Sequence, residues 1–297
     1  MSKIQDALKK LQKDAPPQPQ KPPPTLRNGF MHGPERSSVP VARKKKVTIE
    51  GPKHHVDQQA LVAAGLLAPP DHAIPVADEF RRIKRPLITN ATQGLADGTD
   101  HMNVIMVASA MPKAGKTFCS VNLAVSLSLE RELNVLLVDA DVAKPHISRE
   151  FGLGDAPGLI DLLVDDSRSL EETLVRTDLN DIQILPAGSG HPQATELLAS
   201  DRMSEIVDEL ATRYPDRIIL LDSPPLLITS EAQALASQVG QIALVVEAGS
   251  TQHHTLLQAV EVLDSDKAIN VILNKSRHSS QSGYYGGEYG YYGYEGS

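Results

Sequence analysis

The chain has 297 residues, 41% hydrophobic and 22% charged, with no tryptophan, one cysteine and a net charge of −8. That balance suits one fair-sized core of Leu, Val, Ile and Ala with appendages. No apolar run nears the roughly 20 residues of a membrane span, and the charged start "MSKIQDALKKLQKD" is no secretory leader, so neither is expected.

Charge is uneven along the chain. Residues 1–50 hold 11 Lys/Arg and 4 Asp/Glu, a net of +7, which leaves −15 for the other 247 residues. Such a basic arm suits either docking to an anionic membrane surface or acidic partner, or a solvated tail. Residues 3–13 have the pattern of a short amphipathic helix, followed by "DAPPQPQKPPPT", which proline keeps out of regular structure. "VDQQALVAAGLLAPPD" reads as a short helix stopped by Pro69 and Pro70. Residues 1–70 are expected to be a basic, Pro-rich and mostly disordered arm.

From Ala77 the texture changes. "ADEFRRIKR" is helical in pattern and is expected to end before Pro86. Apolar runs at 103–109, 135–141, 181–188, 217–225, 241–249 and 268–276 then read as strands. They alternate with helical patterns at 116–130, 201–214, 231–237 and 255–265. Continuous apolar strands are covered on both faces. The alternation predicts an α/β fold, a mostly parallel sheet with helices on both sides. The single cysteine, Cys119, excludes an internal disulfide and is expected as a small buried residue.

The strongest motif is "VASAMPKAGKTF". A phosphate-binding P-loop reads G-x-x-x-x-G-K-S/T between a strand and a helix. Here it runs from Ala110 to Thr117, with Ala110 at the first glycine's place. Ala110, Met111, Pro112, Lys113, Ala114, Gly115, Lys116, Thr117 and Phe118 are therefore the nucleotide-binding candidates. Loop N–H groups would cradle phosphates. Lys116 would neutralise β/γ charge, and Thr117 would ligate Mg²⁺. "LLVDADVAKP" sets Asp139 and Asp141 at the carboxyl end of the next predicted strand, and "IILLDSPP" sets Asp222 at the end of another. Ligands of open parallel sheets bind at those ends. One acid of the pair Asp139 and Asp141 would orient a hydroxyl acceptor. The metal candidates are Thr117, Asp141 and Asp222, and the sequence leaves the division of labour between Asp139 and Asp141 open.

The chain closes on "SGYYGGEYGYYGYEGS". Of the 7 tyrosines, Tyr284, Tyr285, Tyr289, Tyr291, Tyr292 and Tyr294 lie there, and only Tyr214 elsewhere. Glycine-rich surroundings suit mobile phosphoryl acceptors, and the alternative is an adhesive low-complexity tail. Histidine pairs at 54–55 and 253–254 lack partners at metal-ligand spacing.

Together these pieces resemble the bacterial tyrosine autokinases of exopolysaccharide loci, a P-loop family. The match rests on the P-loop that starts with alanine, the D-x-D of Asp139 and Asp141, "LLDSPP", the E-x-x-R-x-x-R of Glu79, Arg82 and Arg85, and the tyrosine tail. "DADVAKPHISREFGL" and "LPAGSGHPQATELLASDRM" look most similar to the exosortase-associated soluble branch. The resemblance implies three parts: an arm (1–70), a kinase domain (71–278) and an autophosphorylation tail (279–297). It implies ATP and Mg²⁺ as cofactors and base contact by Asn274. Glu79, Arg82 and Arg85 would form a subunit contact in a ring homo-oligomer that phosphorylates in trans. It also implies a separate membrane chain-length or co-polymerase activator and a cognate tyrosine phosphatase. The expected location is the cytoplasmic side of the inner membrane through that partner, and no nucleic acid is expected. The family's second acidic motif usually continues to an arginine, where this chain has Ala143, then Lys144. The competing readings are a ParA/MinD-like positioning ATPase, whose lysine after the first P-loop position is Met111 here, and a non-catalytic nucleotide-gated scaffold.

Overall fold

A computed structural model describes residues 52–99, 101–213, 216–263 and 267–276. The expected helix at 3–13, the proline-rich stretch, Tyr214 and the six-tyrosine tail lie outside the described residues.

Seven strands form one sheet: β1 (Val104–Ser109), β2 (Asn134–Asp139), β3 (Val175–Arg176), β4 (Gln183–Leu185), β5 (Arg217–Asp222), β6 (Gln241–Glu247) and β7 (Ala268–Asn274). Their order is β3-β4-β2-β5-β1-β6-β7. All neighbours are parallel except β3 and β4. The expected α/β class is borne out, and the reason lies in the strands. Along β1, Val104, Met106 and Ala108 enter one apolar core while Ile105 and Val107 enter the other. Side chains alternate across a strand, so a run apolar at every position needs cover on both faces.

On one face lie α1 (Gln58–Ala63), α2 (Ala73–Asp97), α3 (Lys116–Ser128) and α4 (His146–Glu150). The other core takes residues from α5 (Leu159–Val164), α6 (Leu170–Thr173), α7 (Ala194–Leu198), α8 (Asp201–Arg213), α9 (Ser230–Gln238) and α10 (His253–Glu261).

The structure departs from expectation in three places. First, the helix expected to stop before Pro86 continues through it to Asp97. An interior proline costs about 3 kcal/mol. Beyond it Leu87 and Ala91 are buried, as is Phe80 before it, and Phe80 meets Phe118 of α3 at 6.1 Å between ring centroids. Each large apolar side chain so buried contributes about 1.5–3 kcal/mol, enough to hold the helix through the break. Buried Lys84 adds a bond to the Ser126 carbonyl and an ion pair with Glu130 at 2.9 Å. That ion pair holds the Glu130 carboxyl below its usual range.

Second, residues 52–70 belong to the folded domain rather than to the arm. The backbone of His54 bridges Thr177, its N–H meeting the Arg176 carbonyl at 2.7 Å. Val56, Leu61 and Leu66 are buried in the core. Asp57 caps α1 by accepting from Gln59 and Ala60, and the helix ends at Ala63, with Gly65 at φ +71° just beyond it, before the prolines are reached.

Third, the strand expected at 135–141 ends at Asp139, and that at 181–188 shrinks to Gln183–Leu185. Asp141 thus lies in the loop beyond the strand. The short elements β3, α4, α5, α6 and α7 were not expected. Each is two to six residues long, too short to repeat a period.

Cys119 is 1% exposed. Burial first, and the Asp222 charge second, push its thiol up to about 12. It is a packing residue, not a nucleophile at neutral pH.

Candidate active site

The loop between β1 and α3 is built by three supports. Ser109 Oγ donates to the Met111 carbonyl at 2.7 Å. The N–H groups of Leu226 and Leu227, in the loop after β5, donate to the carbonyls of Ser109 and Ala110 at 2.9 and 3.2 Å. At the end of β7, Asn274 Nδ2 donates to the Ala114 carbonyl at 2.8 Å, and Lys275 Nζ to the Lys113 carbonyl at 2.7 Å. A trans peptide points its C=O and the next N–H in opposite directions. With the carbonyls of 113 and 114 turned toward β7, the N–H groups of Ala114 and Gly115 point away from it. The first N–H groups of α3 also lack intrahelical partners. Together these donors make a cradle for anions.

Gly115 caps α3 at φ +91°, and an added Cβ there would sit 2.2 Å from Asn274 Nδ2. Only glycine adopts that backbone readily. Ala110, by contrast, is not among the non-glycine residues with left-handed backbone, which among the described residues are His101, Lys113, Asn180, Asp181 and Lys275. Its β-carbon is therefore tolerated where other P-loops carry glycine. Gly115→Ala should strain the loop and displace Asn274. The expected result is about tenfold weaker nucleotide binding by titration calorimetry, from a backbone cost of about 1–2 kcal/mol. Wild-type affinity would contradict this account of the loop.

Beneath the loop, Asp139 and Asp222 are register partners at the ends of β2 and β5. Residues paired in neighbouring parallel strands share a sheet face, here the face of α3. Asp222 accepts from Thr117 Oγ1 at 2.8 Å and Ser120 Oγ at 2.9 Å. Burial raises its carboxyl to about 6, against the lowering influence of Lys116 and these two hydroxyls. Asp139 accepts from the Ser148 N–H and hydroxyl. Burial raises it to about 7 despite those bonds, with the charges of Asp222 and Asp141 adding to the rise. Asp141 is raised by burial and lowered chiefly by Lys116.

A cleft of about 800 Å³ opens over this floor. Pro112, Lys113, Gly115, Lys116, Thr117 and Phe118 line it from the loop, Asp141 and Lys144 from beyond β2, and Asn274 and Lys275 from β7. The structure thus gathers the P-loop candidates, Asn274 and the three acids at one end of the sheet. Glu79, Arg82 and Arg85 lie apart, exposed on α2, where Arg85 stands 3.9 Å from Glu130. Ser120, Ser148 and Lys275 were not foreseen. Ser120 falls one turn after Thr117 on the same helix face, a readable spacing. Ser148 left no periodic signal.

The donor set suits a hard cation. Among the described residues, no three His, Cys, Asp or Glu side chains cage an ion by themselves. Mg²⁺ seldom uses such a cage. It takes one or two carboxylates or hydroxyls together with substrate phosphates and waters. Thr117 and Asp222, in contact at 2.8 Å, and the buried Oδ1 of Asp139, which has no partner among the described residues, fit that role.

Sheet, loop and acids define the class: a P-loop nucleotide-binding domain. The AAA domain family matches residues 102–273. Among curated relatives, the chain is 32% identical to the tyrosine-protein kinase YwqD of Bacillus subtilis over 194 residues, 65% of this chain and 78% of YwqD. It is 27% identical to the tyrosine-protein kinase Wzc of Salmonella typhimurium, covering 87% of this chain and 34% of Wzc. Among solved structures, the VpsO kinase domain is 33% identical with a TM-score of 0.54, covering 66% of this chain and 98% of that one. The kinase domain of Escherichia coli ETK is 25% identical at a TM-score of 0.55, covering 67% and 78%. The chain belongs to the bacterial tyrosine-protein kinases, as its motifs led us to expect. It spans about a third of Wzc but most of YwqD.

Proposed function

We propose that the protein transfers the γ-phosphoryl group of ATP to tyrosines of its own tail, on the same or a neighbouring copy. The observation that carries this reading is where the tail departs. Asn274 and Lys275 line the cleft, and Tyr284 follows nine residues later. Nine residues span up to about 30 Å, so the acceptors are tethered at the site, at an effective concentration on the order of mM.

The P-loop N–H groups and Lys116 would hold the phosphates, and Asn274 would meet the base. Thr117, Asp222 and Asp139 or Asp141 would hold Mg²⁺, which when bound would offset charge developing on the phosphoryl oxygens. Asp141 lines the cleft whereas Asp139 is wholly buried. That contrast favours Asp141 as the group that accepts the tyrosine proton and Asp139 as the metal-side acid. The phenol oxygen forms the new bond to phosphorus, the bond to the β-bridging oxygen breaks, ADP leaves, and the proton rests on the carboxylate. Lys144, exposed on the cleft wall, stands in for the arginine that Ala143 replaces.

The wider role is read from the family resemblance. Exposed Glu79, Arg82 and Arg85 would join copies head to tail into a ring, and accumulated tail phosphate, about −1.5 to −2 charges per site, would loosen it. A membrane activator would bring the kinase to the cytoplasmic side of the inner membrane, a phosphatase would reset it, and exopolysaccharide polymerisation or export would be the regulated process. Among the described residues no helix is long and apolar enough to cross a membrane.

The test is incubation with Mg·ATP and the activator's cytosolic segment, mapping phosphotyrosine by mass spectrometry in the full chain and in a chain ending at Ser282. Phosphotyrosine at 284–294, absent from the shortened chain, is expected. ATP hydrolysis without phosphotyrosine would favour a positioning ATPase, and nucleotide binding without turnover would favour a scaffold.

A further inference from the structure

Ser148 sits at the third position of α4 and is 2% exposed. Its N–H and its Oγ–H both donate to one oxygen of Asp139, Oδ2, each at 2.7 Å. The hydroxyl oxygen in turn accepts from the Ala187 N–H at 2.9 Å. Ser148 therefore joins three segments: the end of β2, the short helix α4 and the loop after β4. Two donors on Oδ2 fix the carboxylate about both of its side-chain torsions. The other oxygen, Oδ1, is left buried with no partner among the described residues.

A carboxylate that served only to cap α4 would be satisfied through Oδ2 alone and would more economically be an exposed Asp or Ser. Asp139 is instead buried in full, beside Asp222 in register. An unpartnered buried oxygen calls for an occupant such as an ion or water.

We propose that Ser148 is a positioning residue: it locks Asp139 Oδ2 so that Oδ1 faces the divalent cation shared with Thr117 and Asp222. This rests on the reading of Asp139 as a metal-side acid given above. Groups that orient a metal's protein ligands change metal affinity by about 10- to 100-fold when removed.

The test uses the full chain with ADP and Mn²⁺ as the probe, free Mn²⁺ being read by electron paramagnetic resonance. Ser148→Ala should weaken Mn²⁺ binding about tenfold while ADP binding in EDTA stays as in wild type. Ser148→Ala also leaves the Ala187 N–H without its acceptor, so Ser148→Thr, which keeps the hydroxyl, is the folding control and should bind Mn²⁺ within about twofold of wild type. On an Asp139→Asn background, Ser148→Ala should cause no further loss. Wild-type Mn²⁺ affinity in Ser148→Ala, with Asp139→Asn impaired, overturns the proposal and leaves the metal reading standing. An equal loss on the Asp139→Asn background also overturns it, since Ser148 would then act through folding. Unchanged Mn²⁺ binding in Asp139→Asn overturns the metal reading and this inference together.

Discussion

Lys116→Met should reduce tail phosphorylation by at least about 10²- to 10³-fold, the scale of losing one preorganised charge partner of a reacting group. Lys116 is 8% exposed and begins α3 at the floor of the cleft. Its ammonium counters the charge of both Asp141 and Asp222. Methionine fills a similar volume without the cation. The phosphates then lose a partner, and the two acids lose the positive charge that favours their ionised, metal-binding form. The loss should appear in the phosphotransfer rate measured with labelled ATP, while far-ultraviolet circular dichroism remains that of the folded chain. Phosphotyrosine at wild-type levels would remove the P-loop from the mechanism.

The second large effect is on stability. Nucleotide-free, metal-free protein should be less stable at pH 8 than at pH 6. Burial raises Asp139 to about 7 and Asp222 to about 6, above the carboxylate values of an unfolded chain near about 4. A raised carboxyl binds its proton more tightly when folded. Its contribution is complete below the unfolded value and is lost as pH climbs through the folded one. The loss therefore spreads from about pH 4 to about pH 7. The depressed carboxyls, half-buried Asp161 and exposed Asp178 and Asp181, have the opposite sign, and their contribution fades only in acid below about pH 4.

Asp139→Asn removes the higher of these two, while burial leaves Asp141 raised as well, with the same sign. Its amide oxygen still accepts from Ser148, and no charge is buried. At pH 8 the variant should be more stable by a few kcal/mol, since a tenfold difference in proton affinity between the folded and unfolded chain is worth about 1.4 kcal/mol. In a chain of this size that raises Tm by roughly 5–10 °C. Urea melts at pH 6, 7 and 8 should show a falling midpoint for wild type and a flatter series for the variant. Saturating Mg²⁺ and ADP should flatten the wild-type series too, because a bound cation favours ionised acids. A wild-type midpoint that rises with pH would contradict the burial account.

The sequence made the site more legible than its surroundings. Ala110–Thr117, Asp139 and Asp222 lie where long apolar strands end, and strands covered on both faces announce themselves by unbroken hydrophobicity. Pro86 misled because a local rule about missing donors was outweighed by Phe80, Leu87 and Ala91 packing in the core beside α3, a tertiary fact. Residues 52–70 looked like linker because Val56, Leu61 and Leu66 are sparse anchors in a polar, proline-flanked stretch. Helix α4 has five residues, and nothing in "HISRE" distinguishes Ser148 from any surface serine. Only its distance from Asp139 does, and distance across a fold is not written in a single sequence. The tyrosine tail, the feature most visible in the sequence, falls outside the described residues.

Asn274 and Lys275 hold the phosphate loop by its carbonyls, and they are also the last steps before the tail begins. This sets a boundary for anyone who shortens the protein. A chain cut after Ser276, or anywhere before Tyr284, loses every tail acceptor and keeps its donor cradle whole. A cut only two residues earlier removes a support of Lys113 along with every tail tyrosine. Silence from such a chain would then report a damaged nucleotide pocket as much as a missing substrate.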